Sequence, residues 1–287
     1  MPEAPLVEAR NLRIAFGRGA NPVPVVRDVS FTVGREKVAI VGESGAGKST
    51  VGRAVMRLLP PAAQLSADRL RFRDVDLVAA SERQMMDLRG RRMGLIMQDP
   101  KYSLNPVMTV GEQIAESWRL HHPGRAAARE ARERTLAILE AVKIRDPARV
   151  AGLYPHEVSG GMGQRVMIAM MLVSGPDLLI ADEPTSALDV TVRLEVLALL
   201  DDLIASRGMG LIFISHDLNL VRRFCDRVII MYAGRIVETL AAADLDRAGH
   251  PYTRALLASL PSIRHPQRRL PVMVRDPSWL TGGEAGP

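Results

Sequence analysis

Cysteine occurs once in these 287 residues, at Cys225. One thiol cannot close an internal disulfide or build a multi-cysteine metal site. Between Phe224 and Asp226 it reads as a small buried apolar residue. Aromatic residues make up only 4% of the chain, so the core must come mainly from aliphatic side chains and Met. Long apolar runs are missing too: none reaches the roughly 18 residues that a membrane-spanning helix needs. The best candidate, Met167 to Ala181, is broken by Ser174, Gly175, Pro176 and Asp177. The start, Met-Pro-Glu-Ala-Pro, lacks a charged stretch followed by an apolar one. The expectation is therefore no signal peptide and a cytosolic chain that reaches a membrane through partners. Concentrated charge is also scarce. The net charge is +6 and the pI is about 10.0, yet the basic residues are spread out. Short groups at Arg89, Arg91, Arg92 and at Arg264, Arg268, Arg269 are the exceptions. A diffuse excess marks a solvated surface, and no direct nucleic-acid partner is expected.

Hydrophobic residues at 47% and charged residues at 24% fit a globular chain with one substantial core. The opening alternates like a strand through Val7, Leu12, Ile14 and Phe16, and a second strand runs from Val25 to Val33. Val38-Ala39-Ile40-Val41 is a short apolar run that ends in glycines and a helix predicted over Lys48 to Leu59. Gly94 to Met97, Leu178 to Ala181, Leu211 to Ile214 and Val228 to Met231 read as further buried strands. Between about residues 109 and 158 the period changes to helical. Ala126 to Val142 carries Leu136, Leu139 and Val142 opposite Arg129, Glu130, Arg132 and Glu133. From about Pro261 the chain is rich in Pro, Arg and Gly and reads as an extended or poorly ordered tail.

Gly42-Glu43-Ser44-Gly45-Ala46-Gly47-Lys48-Ser49, with Thr50 following, matches the phosphate-loop pattern in full. Glycines let backbone N–H groups turn inward and cradle phosphate oxygens. Lys48 supplies a point charge for the terminal phosphates, Ser49 a hydroxyl for Mg²⁺, and the helix its positive end. Leu178 to Ala181 then deliver Asp182 and Glu183 where a buried strand emerges. Asp182 is placed to hold Mg²⁺, and Glu183 to take a proton from the attacking water. These residues read as a P-loop nucleoside triphosphatase.

Ser159-Gly160-Gly161-Met162-Gly163-Gln164-Arg165 narrows the class, because it resembles the signature motif of ABC ATPases. Ser159 and the amides around Gly160 and Gly161 would form a second anion cradle at a helix start. The resemblance implies that this cradle closes over ATP held by another subunit. Other family elements follow in order: Gln98 as the Q-loop glutamine that senses Mg²⁺ or water, Ser186-Ala187-Leu188-Asp189 as the D-loop, and His216 as the switch histidine. Phe16 stands where the family stacks an aromatic, usually Tyr, on adenine. The resemblance covers about residues 6 to 260. It implies an α/β P-loop core with a mainly parallel sheet, an N-terminal antiparallel β portion and an inserted helical subdomain at about 109–165. Residues 1–260 would form the ATPase domain and 261–287 a C-terminal tail.

More narrowly, the chain resembles the ATPase subunits of dipeptide, oligopeptide and nickel importers. Gln98-Asp99-Pro100, Ser103-Leu104-Asn105-Pro106, Thr109-Val110-Gly111-Glu112-Gln113, Tyr154-Pro155-His156-Glu157 and His250-Pro251-Tyr252-Thr253 carry that likeness. It implies ATP and Mg²⁺ as ligands and a second ATPase subunit, identical or paralogous. It also implies two transmembrane permeases and an external solute-binding protein, with this chain peripheral on the cytoplasmic face of the bacterial inner membrane. The loop from Asp99 to Pro106, including Tyr102 and Leu104, is expected to meet a permease. Departures are the absence of cysteines after Cys225, a short tail, Gly163 in place of a long polar side chain, and Arg71 and Arg73 in place of small residues. They leave peptide, nickel or another small solute open. An ABC ATPase acting on nucleic acid or ribosomes is the other alternative, against which stand the single cassette and the segment from Gln98 to Gln113. A GTPase or kinase would leave Ser159 to Arg165 unexplained, and no Asn-Lys-X-Asp guanine motif occurs.

Overall fold

The computed structural model describes residues 4–17, 22–98, 103–124, 127–186, 188–260, 276 and 279. They group into two compact units, one from residues up to 79 and from 212 onward, the other from 80 to 211.

The first unit opens with two long strands, β1 (Val7–Phe16) and β2 (Val23–Val33), paired antiparallel. Their register shifts around Asn11, whose φ of 48° places it in the left-handed region where Asn is tolerated. Next come β3 (Lys37–Val41), α1 (Lys48–Val55), β4 (Ala63–Ser66), β5 (Arg69–Phe72) and β6 (Val75–Asp76). Strands β4 and β5 add antiparallel to β1, and β6 to β5. The predicted helix to Leu59 stops at Val55, because Arg57 turns left-handed at φ 52° and Pro60-Pro61 cannot continue it. Arg71 faces out on β5, opposite Glu8 and Asp76.

The second unit begins with α2 (Glu82–Leu88) and β7 (Met93–Ile96), followed by α3 (Val110–Arg119), α4 (Ala127–Ala141), α5 (Pro147–Ala151) and α6 (Gly160–Leu172). Its remaining elements are β8 (Leu178–Asp182), parallel to β7, and α7 (Val190–Arg207). Helix starts follow local chemistry. Thr109 and Glu112 close a reciprocal capping box on α3, and Pro147 takes the first turn of α5 behind the Asp146 cap. On α4 the buried stripe is Ala131, Thr135, Ile138 and Leu139, with Leu136 only half-buried. Thr135 is accommodated there because its hydroxyl donates to the Ala131 carbonyl at 2.7 Å.

Strand β9 (Gly210–Ser215) leads back into the first unit, which continues with α8 (Leu218–Phe224), β10 (Arg227–Tyr232), β11 (Arg235–Ala241) and α9 (Pro251–Ala258). There β3 lies between β9 and β10, and β10 runs parallel to β3. The central strands are apolar throughout: Val38 to Val41, Leu211 to Ile214 and Val228 to Met231 are all at most 1% exposed. Strands buried on both faces read as continuous apolar runs, which is why they were legible in the sequence. Cys225 is buried at the end of α8. Among the described residues no helix is long and apolar enough to cross a membrane.

Candidate nucleotide-binding and hydrolysis site

Strand β3 feeds the phosphate loop directly. Gly42 is there because nothing larger fits: a Cβ on it would lie 2.1 Å from the Met231 carbonyl oxygen. Glu43 donates its backbone N–H to the Tyr252 hydroxyl at 3.0 Å, and Ala46 accepts from the Gly234 N–H at 3.2 Å. Lys48 folds back so that Nζ donates to the Gly42 and Glu43 carbonyls, at 2.9 Å each. The loop is thus fixed at its base, with Gly42, Ala46, Gly47 and Lys48 buried. Ser44 and Gly45 are exposed at its crest. Gly45 has φ 82°, and a Cβ there would meet nothing within 4 Å. Gly47 begins α1, whose first turn carries no acidic side chain to oppose an anion. Ser49 and Thr50 follow, half-buried.

Two other predicted residues belong to the same unit. Phe16 ends β1, paired with Val23 and Ala63, and is half-buried rather than part of the core. His216 is exposed just after β9. Asp217 beside it caps α8 by accepting from the Leu220 N–H at 3.0 Å.

In the second unit, β8 is buried up to Ala181 and presents Asp182 and Glu183 half-buried at its end. Glu183 holds φ 49°, a left-handed conformation that a non-glycine residue adopts at a cost. The turn is locked from behind, since the Glu183 carbonyl accepts from the Ser186 N–H at 3.2 Å and from the Ser186 hydroxyl at 3.1 Å. Pro184 offers its carbonyl to the side-chain amide of Gln164, a residue only 1% exposed on α6.

That bond joins the carboxylate turn to the signature segment. Ser159 caps α6, its hydroxyl accepting from the Met162 N–H at 3.4 Å, and Ser159 and Gly160 are exposed. A Cβ on Gly160 would meet nothing within 4 Å, whereas one on Gly161 would come 2.8 Å from Val192 of α7. Arg165 bonds Glu195 of α7 at 2.7 Å and so braces the two helices. Asp189 caps α7 through the Val192 N–H at 3.0 Å and is itself exposed. Gln98 lies exposed beyond β7. After it, Asp99, Pro100 and Tyr102 fall outside the described residues, as do Ala187 and the tail arginines Arg264, Arg268 and Arg269.

The residues present suit a nucleoside triphosphate with a divalent ion. Gly45 and Gly160 are exposed, and a Cβ at either would meet nothing within 4 Å, so backbone amides there are open to an anion. Ser49 and Asp182 are hard oxygen donors of the kind Mg²⁺ takes. Sequence reasoning gave no role to Gln164, although it lies inside the signature motif, or to Tyr252, although it belongs to a quoted motif. Leu104 is buried at 6% exposure, so it serves packing; the exposed part of its loop is Asn105 to Val107. Gln113 braces that loop by accepting from the Asn105 N–H at 2.8 Å and donating to the Asn105 and Met108 carbonyls at 3.0 Å.

A buried strand running into this loop, together with the signature helix and the paired carboxylates, defines an ATP-binding cassette. A family profile described as ABC transporter matches residues 26–186, more than half the chain, and the chain belongs to that family. It is an ABC-type ATPase, with parallel core strands, an antiparallel N-terminal β portion and an inserted helical part. A probable peptide ABC transporter ATP-binding protein of Sinorhizobium fredii is 48% identical over 270 residues, covering 93% of this chain and 80% of that protein. The dipeptide transport ATP-binding protein of Haemophilus influenzae is 45% identical, covering 92% of this chain and 80% of that one. Among solved structures, the post-hydrolysis dimer of the ATP-binding cassette MJ0796, bound to ADP and Pi, matches at TM-score 0.72. It is 26% identical and covers 82% of this chain and 98% of that one.

Proposed function

We propose that the chain energises import of peptides, or of a related small solute, by a membrane transporter. In this reading it sits on the cytoplasmic face of a bacterial inner membrane beneath two permeases. It pairs there with a second ATPase subunit, paralogous or identical, and an external solute-binding protein delivers the cargo. The import assignment draws on the names of the relatives, two of which are ATP-binding proteins of peptide or dipeptide transport.

The observation that carries the proposal is the exposed start of α6. Ser159 and Gly160 are exposed at a helix start, with open space at Gly160, in a chain whose sequence already carries a complete phosphate-loop motif. A second cradle has use for a second nucleotide, which a partner subunit supplies. On this proposal the Gly42–Gly47 amides and Lys48 bind the phosphates, with Thr50 beside them, and Phe16 stacks on the adenine. Ser49, Asp182 and Gln98 hold Mg²⁺, whose contribution is to neutralise charge on the terminal phosphates. Glu183 accepts the proton of the attacking water, with His216 orienting it. Ser159, Gly160 and Gly161 close on the partner's nucleotide, with Asp189 at the seam. Asn105 to Val107, with Val107 78% exposed, offers a permease an apolar contact.

The test is hydrolysis by the chain assembled with its permeases and solute-binding protein. Peptide-loaded binding protein should stimulate turnover. Glu183→Gln should keep ATP binding while turnover falls by about 100-fold or more, because the amide keeps the shape but cannot take the proton. Wild-type turnover in that variant would remove the base assignment, and stimulation by nickel but not by peptide would redirect the substrate class.

A further inference from the structure

The segment His250-Pro251-Tyr252-Thr253 has no part in the chemistry proposed above, yet it reaches the phosphate loop. Tyr252 is 0% exposed, and its hydroxyl accepts the Glu43 N–H at 3.0 Å across 209 positions of sequence. Glu43 is the first residue after Gly42, at the point where the chain leaves β3 and turns under the phosphates. Lys48 holds the carbonyls of Gly42 and Glu43 at that turn, and Tyr252 holds the Glu43 N–H. A hydrogen bond to the hydroxyl of a buried, packed ring fixes the peptide plane there more firmly than a bond to water.

The ring itself is held on both sides. Tyr232 packs on it with ring centroids 4.5 Å apart, and Trp279 of the C-terminal segment lies 5.5 Å from both tyrosines. Trp279 is 9% exposed. From below, His250 caps α9 by accepting from the Tyr252 N–H at 3.2 Å, and the Gly249 N–H donates to Glu238 at 2.7 Å. Three contacts to the loop thus come from residues beyond 230: the Met231 carbonyl against Gly42, the Gly234 N–H on Ala46, and Tyr252 on Glu43.

We infer that Tyr252 is a positioning residue of the ATP site: its hydroxyl presets the phosphate loop for ATP, and Trp279 holds the ring in place. This rests on the reading of the loop as the ATP site. The C-terminal segment thereby governs nucleotide affinity without touching nucleotide.

The experiment compares the full chain, assembled with its permeases, as wild type, Tyr252→Phe and Trp279→Ala. Tyr252→Phe keeps the ring and removes the hydroxyl that accepts from Glu43. The expected result is a KM for ATP raised about three- to ten-fold, the effect of losing one hydrogen bond of ordinary net worth, with kcat within about two-fold and Tm lowered by only about 2–4 °C. Trp279→Ala should raise the KM less and leave kcat alone. An unchanged KM in Tyr252→Phe overturns the inference. So does a fall in kcat matched by a larger fall in Tm, which is the signature of a merely structural ring. A wild-type complex without ATPase activity would instead count against the underlying reading.

Discussion

The phosphate loop and the signature–carboxylate assembly, the two parts of the proposed site, are built over very different sequence distances. The loop at Gly42 to Lys48 depends on Met231, Gly234 and Tyr252, around 200 residues away. The signature helix and the carboxylate turn are tied by neighbours: Gln164 to Pro184 across 20 positions and Arg165 to Glu195 across 30. Distant supports close a long loop of chain and are late to form, whereas near ones cost little closure entropy. The loop therefore depends on segments late in the chain, and the ties between the signature helix and the carboxylate turn on near ones.

Substitutions can break that contrast. The largest effect is expected from Gly42→Ala, since the added methyl meets a backbone oxygen of β10 that cannot swing aside. It should cost on the order of 3 kcal/mol in denaturant unfolding and abolish measurable ATP binding. Near-normal stability in that variant would mean that β10 does not anchor the loop. Gln164→Leu comes next. It leaves the buried Pro184 carbonyl without its partner and should cost about 1–3 kcal/mol. Turnover in the assembled transporter should fall while the KM for ATP moves little. An equal rise in KM would show that the two regions are not separable in this way.

Gly160→Ala sharpens the comparison from the other side. Space is open around Gly160, so the unfolding free energy should hold or rise by about a few tenths of a kcal/mol, as expected for Ala in a helix. A loss of hydrolysis in that variant would then report on ligand contact rather than on folding. A clear drop in stability would contradict the open surface seen at the start of α6.

The smallest effect concerns pH. Burial, and then the charges of His122 and Arg91, hold His121 below the ordinary histidine value of 6.5, with Asp87 opposing. A base with a depressed pKa stays neutral in the fold while the unfolded chain takes up a proton. Stability is thus unaffected above about pH 6.5 and declines as the pH falls below it. His121→Asn should flatten that decline between about pH 7 and pH 5 in thermal unfolding, and an unchanged slope would assign the decline to other groups.

Much of this was legible beforehand because it is local. Val38 to Val41, Leu178 to Ala181 and Val228 to Met231 are strands buried on both faces, and continuous apolar runs announce them. The loop glycines, the consecutive carboxylates and Ser159 to Arg165 are short motifs whose spacing carries their chemistry. Strands β4 to β6 were not legible. Arg69-Leu70-Arg71-Phe72 is only four residues long, and charged residues on its outer face hide the alternation. The left-handed Glu183 and the buried Leu104 were also invisible, since neither conformation nor burial of a single loop residue leaves a periodic trace.

The sequence by itself determined the class of this protein, the order of its elements and which groups are proposed to meet ATP. Each of those follows from residue types within a few positions of one another. Tertiary structure alone decided what holds those groups still: the Met231 carbonyl that forbids a side chain at residue 42, the Gln164 amide behind Pro184, and the Tyr252 hydroxyl on Glu43. A support of that kind depends on two segments meeting after folding, and neither segment records its partner in its own composition.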